Sequence, residues 1–152
     1  MTKLAERLGA PMVTTLLGKG GTDETHPLHL GMLGMHGTAY ANKATDAADL
    51  IVSLGSRWDD RITGKLDEFC LGAKKIHVDI DPAEFNKMVQ PEVCIEGDAR
   101  LVAEDLLPLV QPSDTSAWLE RIQRWRKKYP LKYRKQGGLR AVGRGLPRAG
   151  SG

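Results

Sequence analysis

Apolar residues fall along this chain in short bursts separated by polar turns, and their spacing changes from burst to burst. Leu4, Ala5 and Leu8 share one helical face, which Gly9 ends. Pro11 leads into residues 12–16, Met-Val-Thr-Thr-Leu, of strand length and composition. Gly18-Lys19-Gly20-Gly21 is the loop after it, and residues 22–37 read as an irregular Gly-, His- and Pro-rich path. Residues 38–48 read as a helix with Thr38 as its N-cap. Leu50-Ile51-Val52-Ser53-Leu54-Gly55 is almost continuously apolar, the pattern of a strand buried on both faces. Residues 75–80 predict another strand. Asp81-Pro82-Ala83-Glu84 then predicts a helix start: Asp81 caps, Pro82 suits the first helical position, and Glu84 completes a capping box. Residues 93–96 form a last short strand, and Asp98 caps a helix over 99–107. Pro108 to Ser113 is a linker. A final helix over about 114–129 stops before Pro130, with Trp118, Ile122, Trp125 and Tyr129 on one face as a docking stripe. Strands alternating with helices predict an α/β fold with a doubly wound, mainly parallel, Rossmann-like sheet.

The length of 152 residues suits one domain with a real core, and 41% hydrophobic and 27% charged residues are ordinary for a globular chain. No apolar run approaches the roughly 20 residues that span a bilayer, and the N-terminal Met1-Thr2-Lys3-Leu4-Ala5-Glu6-Arg7 has no apolar signal core. The expectation is a cytoplasmic protein without a membrane partner. Cys70 and Cys94 are far apart and form no CxxC pair, which argues against a disulfide framework or a zinc site. From Trp118 onward there are 11 Lys and Arg against one acid, Glu120, a net of +10; the preceding residues carry a net of −7. A basic tail can bind nucleic acid, but no nucleic-acid module accompanies it, and a solvated helix followed by a loose end is the simpler reading. Beyond Lys135 the chain is Gly- and Arg-rich without periodicity. Residues 136–152 are therefore expected to be a disordered or non-native tail, 113–135 a helix and linker, and 1–112 the α/β domain.

In an open parallel sheet, ligands sit beyond the carboxyl ends of the strands. Those positions hold Thr15, Leu16, Leu17 and Gly18, then Gly55, Ser56, Arg57, Trp58, Asp59, Asp60 and Arg61, then Asp79, Ile80 and Asp81, then Gly97, Asp98 and Ala99. Small residues mixed with hydrogen-bonding ones suit a long nucleotide laid across a sheet edge. Asp79 can accept bonds from two ribose hydroxyls, and Arg57 and Arg61 can meet a diphosphate with forked bonds. Simple capping by Asp79 and Asp98, and pairing of the two arginines with Asp59 and Asp60, remain open alternatives. Gly31, Gly34 and Gly37 do not form the GxGxxG fingerprint, and Gly18-Lys19-Gly20 is not a Walker loop, since no Ser or Thr follows the lysine. His36 has no obvious catalytic partner, which favours packing or ligand contact.

Leu33-Gly34-Met35-His36-Gly37-Thr38, Gly55-Ser56-Arg57-Trp58-Asp59-Asp60-Arg61 with Thr63-Gly64, and His77-Val78-Asp79-Ile80-Asp81-Pro82-Ala83-Glu84 closely resemble the acetolactate synthase catalytic subunits, in order and with unbroken spacing over about residues 1–135. Trp58 stands where that family usually has Phe. The resemblance implies a thiamine-diphosphate and Mg2+-dependent enzyme of branched-chain amino-acid synthesis, which decarboxylates pyruvate and joins the two-carbon unit to a second 2-oxo acid. It implies that residues 1–112 are the middle of three domains, holding FAD in a largely non-redox role. By position it implies FAD contacts from Thr15, Leu16, Leu17, Leu33, Gly34, Met35, His36, Gly55, Ser56, Arg57, Asp59, Arg61, Ile62, Asp79, Ile80, Gly97, Asp98 and Ala99, with Met35, Asp60 and Arg61 near the substrate channel. The family's thiamine-activating glutamate and its metal ligands belong to the flanking domains, so no catalytic residue or metal ligand is expected here and the chain alone is expected to be inactive. The family's first, mid-sheet strand has no counterpart in this sequence. Implied partners are the remaining domains of the subunit, a homodimer or homotetramer, and a regulatory subunit. Alternatives are a glyoxylate carboligase-type domain, a stand-alone nucleotide-binding module, and a nucleic-acid binder acting through the basic tail.

Overall fold

A computed structural model of the protein describes residues 1–131. The elements follow in the order α1 (Thr2–Leu8), β1 (Met12–Thr14), β2 (His29–Met32), α2 (Ala39–Asp46), β3 (Leu50–Leu54), α3 (Asp60–Thr63), β4 (Lys74–Asp79), β5 (Val93–Glu96), α4 (Ala99–Leu106) and α5 (Ser116–Lys128). Every strand pairing is parallel, as the alternation of strands and helices predicts. The strands form two small sheets, β1–β2 and β3–β4–β5. Within the second, Leu50 pairs with Lys74 and Leu54 with Val78, while Ile76 pairs with Val93 and Asp79 with Glu96.

Burial follows position in the sheet. The middle strand β4 buries Lys75, His77, Val78 and Asp79. The expectation that residues 50–55 are buried on both faces is not met: Leu50 is 49% exposed and only Ser53 of β3 is buried. No strand flanks the outer edge of β3 among the described residues, so its apolar side chains lack a second set of neighbours. Lys75 is sustained in the interior by donating Nζ–H to the carbonyls of Cys70 and Ala73, at 3.0 and 2.8 Å. Beside it, the Cys70 Sγ–H donates to the Thr45 carbonyl at 3.3 Å, and burial pushes the Cys70 thiol up to about 11.

Three local expectations are corrected. β2 lies inside the segment read as irregular, because a strand containing His29 and Gly31 carries little strand propensity of its own and is held by β1 instead. β1 ends at Thr14, two residues early, where the Thr15 hydroxyl accepts the Gly18 N–H and turns the chain. The helix expected from Asp81 is only a 3-10 turn, Pro82–Glu84. Asp81 does accept from the Ala83 N–H, but the Asp81 N–H that a capping box would use is donated to Asp79 Oδ1. Glu84 pairs with Lys87 instead, and Asn86, at φ 58°, turns the chain out of the helix.

Helices α1, α2, α4 and α5 form close to expectation, whereas the short α3 is not among the predicted elements. Thr38 caps α2 by accepting from the Ala41 N–H and anchors it by donating to the Leu30 carbonyl. Asp98 caps α4 by accepting from Arg100 N and Leu101 N. The α5 stripe docks as predicted: Ile122 is buried with Leu30, Ala41 and Ala44, flanked by Val13, Tyr40, Trp118, Leu119 and Trp125. The two alanines of α2 leave room for the larger Ile122. Thr115, at the start of α5, donates its hydroxyl to the Gly9 carbonyl at 2.7 Å and ties α5 to the end of α1. Among the described residues no helix is long and apolar enough to cross a membrane. The expectation about residues 136–152 falls outside the described residues.

Candidate nucleotide site at the strand ends

Parallel pairing carries the carboxyl ends of neighbouring strands to one edge. In the larger sheet, Gly55 N donates to the Val78 carbonyl at 2.8 Å and Gly97 N to the Asp79 carbonyl at 2.9 Å, so Gly55, Asp79 and Gly97 stand side by side. Ser56 and Arg57, then Ile80, then Asp98 and Ala99 continue from these three points. In the smaller sheet, Leu33 N donates to the Thr14 carbonyl, which sets Thr15, Leu16 and Leu17 next to Leu33. The link between the two ends is Met35 N donating to the Arg61 carbonyl at 2.9 Å.

Backbone approach at that link is close. Gly34 has φ 97°, and a Cβ built on it would collide with the Arg61 carbonyl. Asn42, on α2, holds the same residue from the other side, its Oδ1 accepting from Gly34 N at 2.8 Å and its Nδ2 donating to Gly34 O at 2.9 Å. Gly55, at φ 69°, differs: nothing lies within 4 Å of the position its Cβ would take. Bare backbone facing open space at the end of a strand is what a ligand can lie against.

A cleft of about 510 Å3 opens between the β2–α2 turn, α2 and α3. Leu33, Gly34, Met35, Asp60, Arg61 and Ile62 line it with Asn42, Thr45, Lys65, Glu68 and Phe69, so all three substrate-channel candidates meet in one depression. Met35, Leu16, Leu17 and Ile80 are exposed apolar side chains around these edges. Arg61 Nε is 3.7 Å from Asp60 Oδ2, and both side chains are about three-quarters exposed, so the pair is weak and leaves the guanidinium accessible. Arg57 is exposed and makes no ion pair with Asp59 or Asp60. Asp59 caps α3, its Oδ1 accepting from Arg61 N, and Asp98 caps α4, its Oδ1 accepting from Arg100 N and Leu101 N. His36 is exposed and forms no side-chain hydrogen bond among the described residues.

The structure gives a place to Ser53, His77 and Asn42, to which the linear reading assigns no role, and sets Trp58 and Asp79 beside His77. His77 and Ser53 are buried beneath the edge, and Trp58 is buried at φ 55° with its ring edge-on to His77. Asp79 is buried and holds the Asp81 N–H, with His77 Nε2 3.7 Å from its other oxygen. The period of two along a strand sets 77 and 79 on one face, a signal available in the sequence. Asn42 carried no such signal, because its partner is eight residues away across a turn. Among the described residues no three His, Cys, Asp or Glu side chains cluster so as to hold a metal ion.

Residues 1–106 match the thiamine pyrophosphate enzyme central domain family. The chain is 51% identical over 136 residues to the acetolactate synthase large subunit of Cyanidium caldarium, an alignment covering 85% of this chain and 23% of that protein. It is 50% identical over 133 residues to the corresponding subunit of Parasynechococcus marenigrum (84% and 21%), and 46% identical over 135 residues to acetolactate synthase 1, chloroplastic, of Oryza sativa subsp. japonica (85% and 21%). The chain thus spans less than a quarter of the length of these relatives. With its parallel α/β architecture and a match over more than two-thirds of its length, the chain belongs to the family of thiamine pyrophosphate enzyme central domains.

Proposed function

We propose that this chain is the flavin-holding middle portion of an acetolactate synthase catalytic subunit, binding FAD across the carboxyl ends of its strands. The observation that carries the reading is the convergence of Gly55, Asp79 and Gly97 on one sheet edge, beside an accessible Arg57. The buried Asp79 carboxylate suits the cis-diol of the adenosine ribose, and the open space over Gly55 suits close passage of a diphosphate. Arg57, with no acidic partner among the described residues, is available for charge-assisted bonds to that diphosphate. Exposed Leu16, Leu17 and Ile80 offer apolar surface to ring systems, and Leu33–His36 shape the approach between the two sheets. Asp59 and Asp98 serve by fixing the N-termini of α3 and α4 that bear Arg61 and Ala99. In such an enzyme thiamine diphosphate with Mg2+ supplies the decarboxylation and carboligation chemistry, and both belong to the flanking domains of the longer subunit. Met35, Asp60 and Arg61 border the cleft that would face the substrate path. Assembly into a dimer or tetramer and contact with a regulatory subunit are part of the same reading.

Titrating FAD into the chain and following flavin fluorescence tests it. Saturable binding is expected, and Arg57→Ala should weaken it about tenfold, the scale of one lost charge-assisted hydrogen bond. Saturable binding of NAD without any binding of FAD would instead support an independent nucleotide module, and salt-sensitive binding of DNA alone a role for the basic tail.

A further inference from the structure

His77 is fully buried in β4, at 0% exposure, yet neither of its ring nitrogens has a hydrogen-bond partner among the described residues. Leaving buried donors and acceptors unpaired is costly, so their retention asks for a role. The ring is boxed edge-to-face by Trp58 at 6.0 Å and Phe85 at 5.2 Å, and Trp58 is braced in turn by Phe69 at 5.6 Å. Nε2 points toward Asp79, 3.7 Å from Oδ2, a few tenths of an ångström outside hydrogen-bond range. Asp79 Oδ1 is already held by the Asp81 N–H at 3.0 Å. The carboxylate at the strand end is therefore anchored through one oxygen and faces an unpaired imidazole through the other.

We propose that His77 is a positioning residue for Asp79: it donates Nε2–H to Oδ2 when the ribose hydroxyls are seated, holding the carboxylate in the rotamer that receives them. The inference rests on the FAD reading above and deepens it. His77 itself has no path to the ligand, since it lies below Asp79 on the same face of β4. The box of Trp58 and Phe85 fixes the ring plane, so a small shift of the carboxylate suffices to close the bond. Ser53, which pairs with His77 across β3 and β4, and Trp58 likewise have buried polar atoms, Oγ and Nε1, without a partner among the described residues.

The test compares FAD affinity and thermal midpoint in the full chain for the wild type, His77→Phe, His77→Gln and Asp79→Asn. His77→Phe keeps the aromatic box and removes both unpaired nitrogens, so its thermal midpoint should hold or rise while FAD binding falls about tenfold. His77→Gln, whose side-chain amide can donate to Oδ2, should recover most of that loss. In the Asp79→Asn background His77→Phe should add little further loss, because the two side chains act as one unit. If His77→Phe proves unfolded, His77→Met, of similar volume and without a donor, carries the same comparison. Wild-type binding with an undiminished affinity in His77→Phe overturns the positioning role alone, as does full additivity with Asp79→Asn. Absence of FAD binding by the wild type overturns the flavin reading and this role with it.

Discussion

Gly34 meets two demands that no other residue type meets together. Its φ of 97° lies where side chains are strained, and the Arg61 carbonyl occupies the space a Cβ would need. Asn42 grips both its N–H and its C=O, so the backbone cannot swing away to make room. Gly34→Ala is accordingly expected to lower stability by about 1–3 kcal/mol through strain and forced displacement. It should also loosen the Met35 N–Arg61 O bond that joins the ends of the two sheets. Urea denaturation measures the first effect, and faster amide exchange at Met35 reports the second; an unchanged midpoint would contradict both. The same residue-scale contrast separates Asp79 from Asp59 and Asp98. All three accept a backbone N–H from two residues on through one oxygen, but only Asp79 is buried, with its other oxygen facing His77.

At the scale of elements, α5 shows how a surface helix is recruited. Its apolar stripe reaches across the chain to α2 and β2, and Ile122 is 1% exposed at the centre. Arg126 reinforces the dock by donating to the Pro27 and His29 carbonyls and by lying over the Tyr40 ring. Ile122→Ala removes the central knob and leaves a cavity the two α2 alanines cannot fill, which should cost about 2–5 kcal/mol. Trp118 and Trp125 flank it, so their fluorescence should shift to longer wavelength at lower denaturant concentration than in the wild type. An unshifted transition would mean that the dock contributes little. The turn at Pro82–Glu84 shows the opposite case: strong local helix signals fail because the Asp81 N–H is already taken by Asp79.

For the whole molecule, the organising fact is parallel pairing in two small sheets, with β1 and β3 each paired on one side only among the described residues. On the reading proposed above, a further parallel strand set between β1 and β3 would join them and give β3 the second neighbour that its apolar sequence anticipates. It would also bring Thr15 and Gly55 into one continuous strand-end row. Without it the proposed FAD contacts would be less preorganised, and each side chain immobilised on binding costs roughly 0.5–1.5 kcal/mol. FAD should therefore bind this chain weakly, and a version extended to supply that strand should bind much more tightly, by about a thousandfold if some 4 kcal/mol is recovered. Parallel titrations of the two forms decide it; equal affinities would show that such a strand does not organise the site.

By itself the sequence determined the elements whose signals are local. The apolar runs at 50–54 and 93–96, the caps Thr38 and Asp98, and the 3.6-residue stripe of α5 were legible because each depends on neighbours a few residues away. The motif segments likewise marked the family, since their order and spacing survive without reference to three dimensions. Tertiary structure alone decided what depends on distant partners. β2 exists because β1 pairs with a Gly-containing segment that has little strand preference, and β3 is half exposed because strand burial is set by neighbours rather than by its own apolarity. The bond from Met35 N to the Arg61 carbonyl, the grip of Asn42 on Gly34, and the unpaired ring of His77 beneath Asp79 were likewise decided there. A residue's chemistry is written in its side chain, but which groups satisfy it, and which it is left to serve, follows from the packing of segments far apart in the chain.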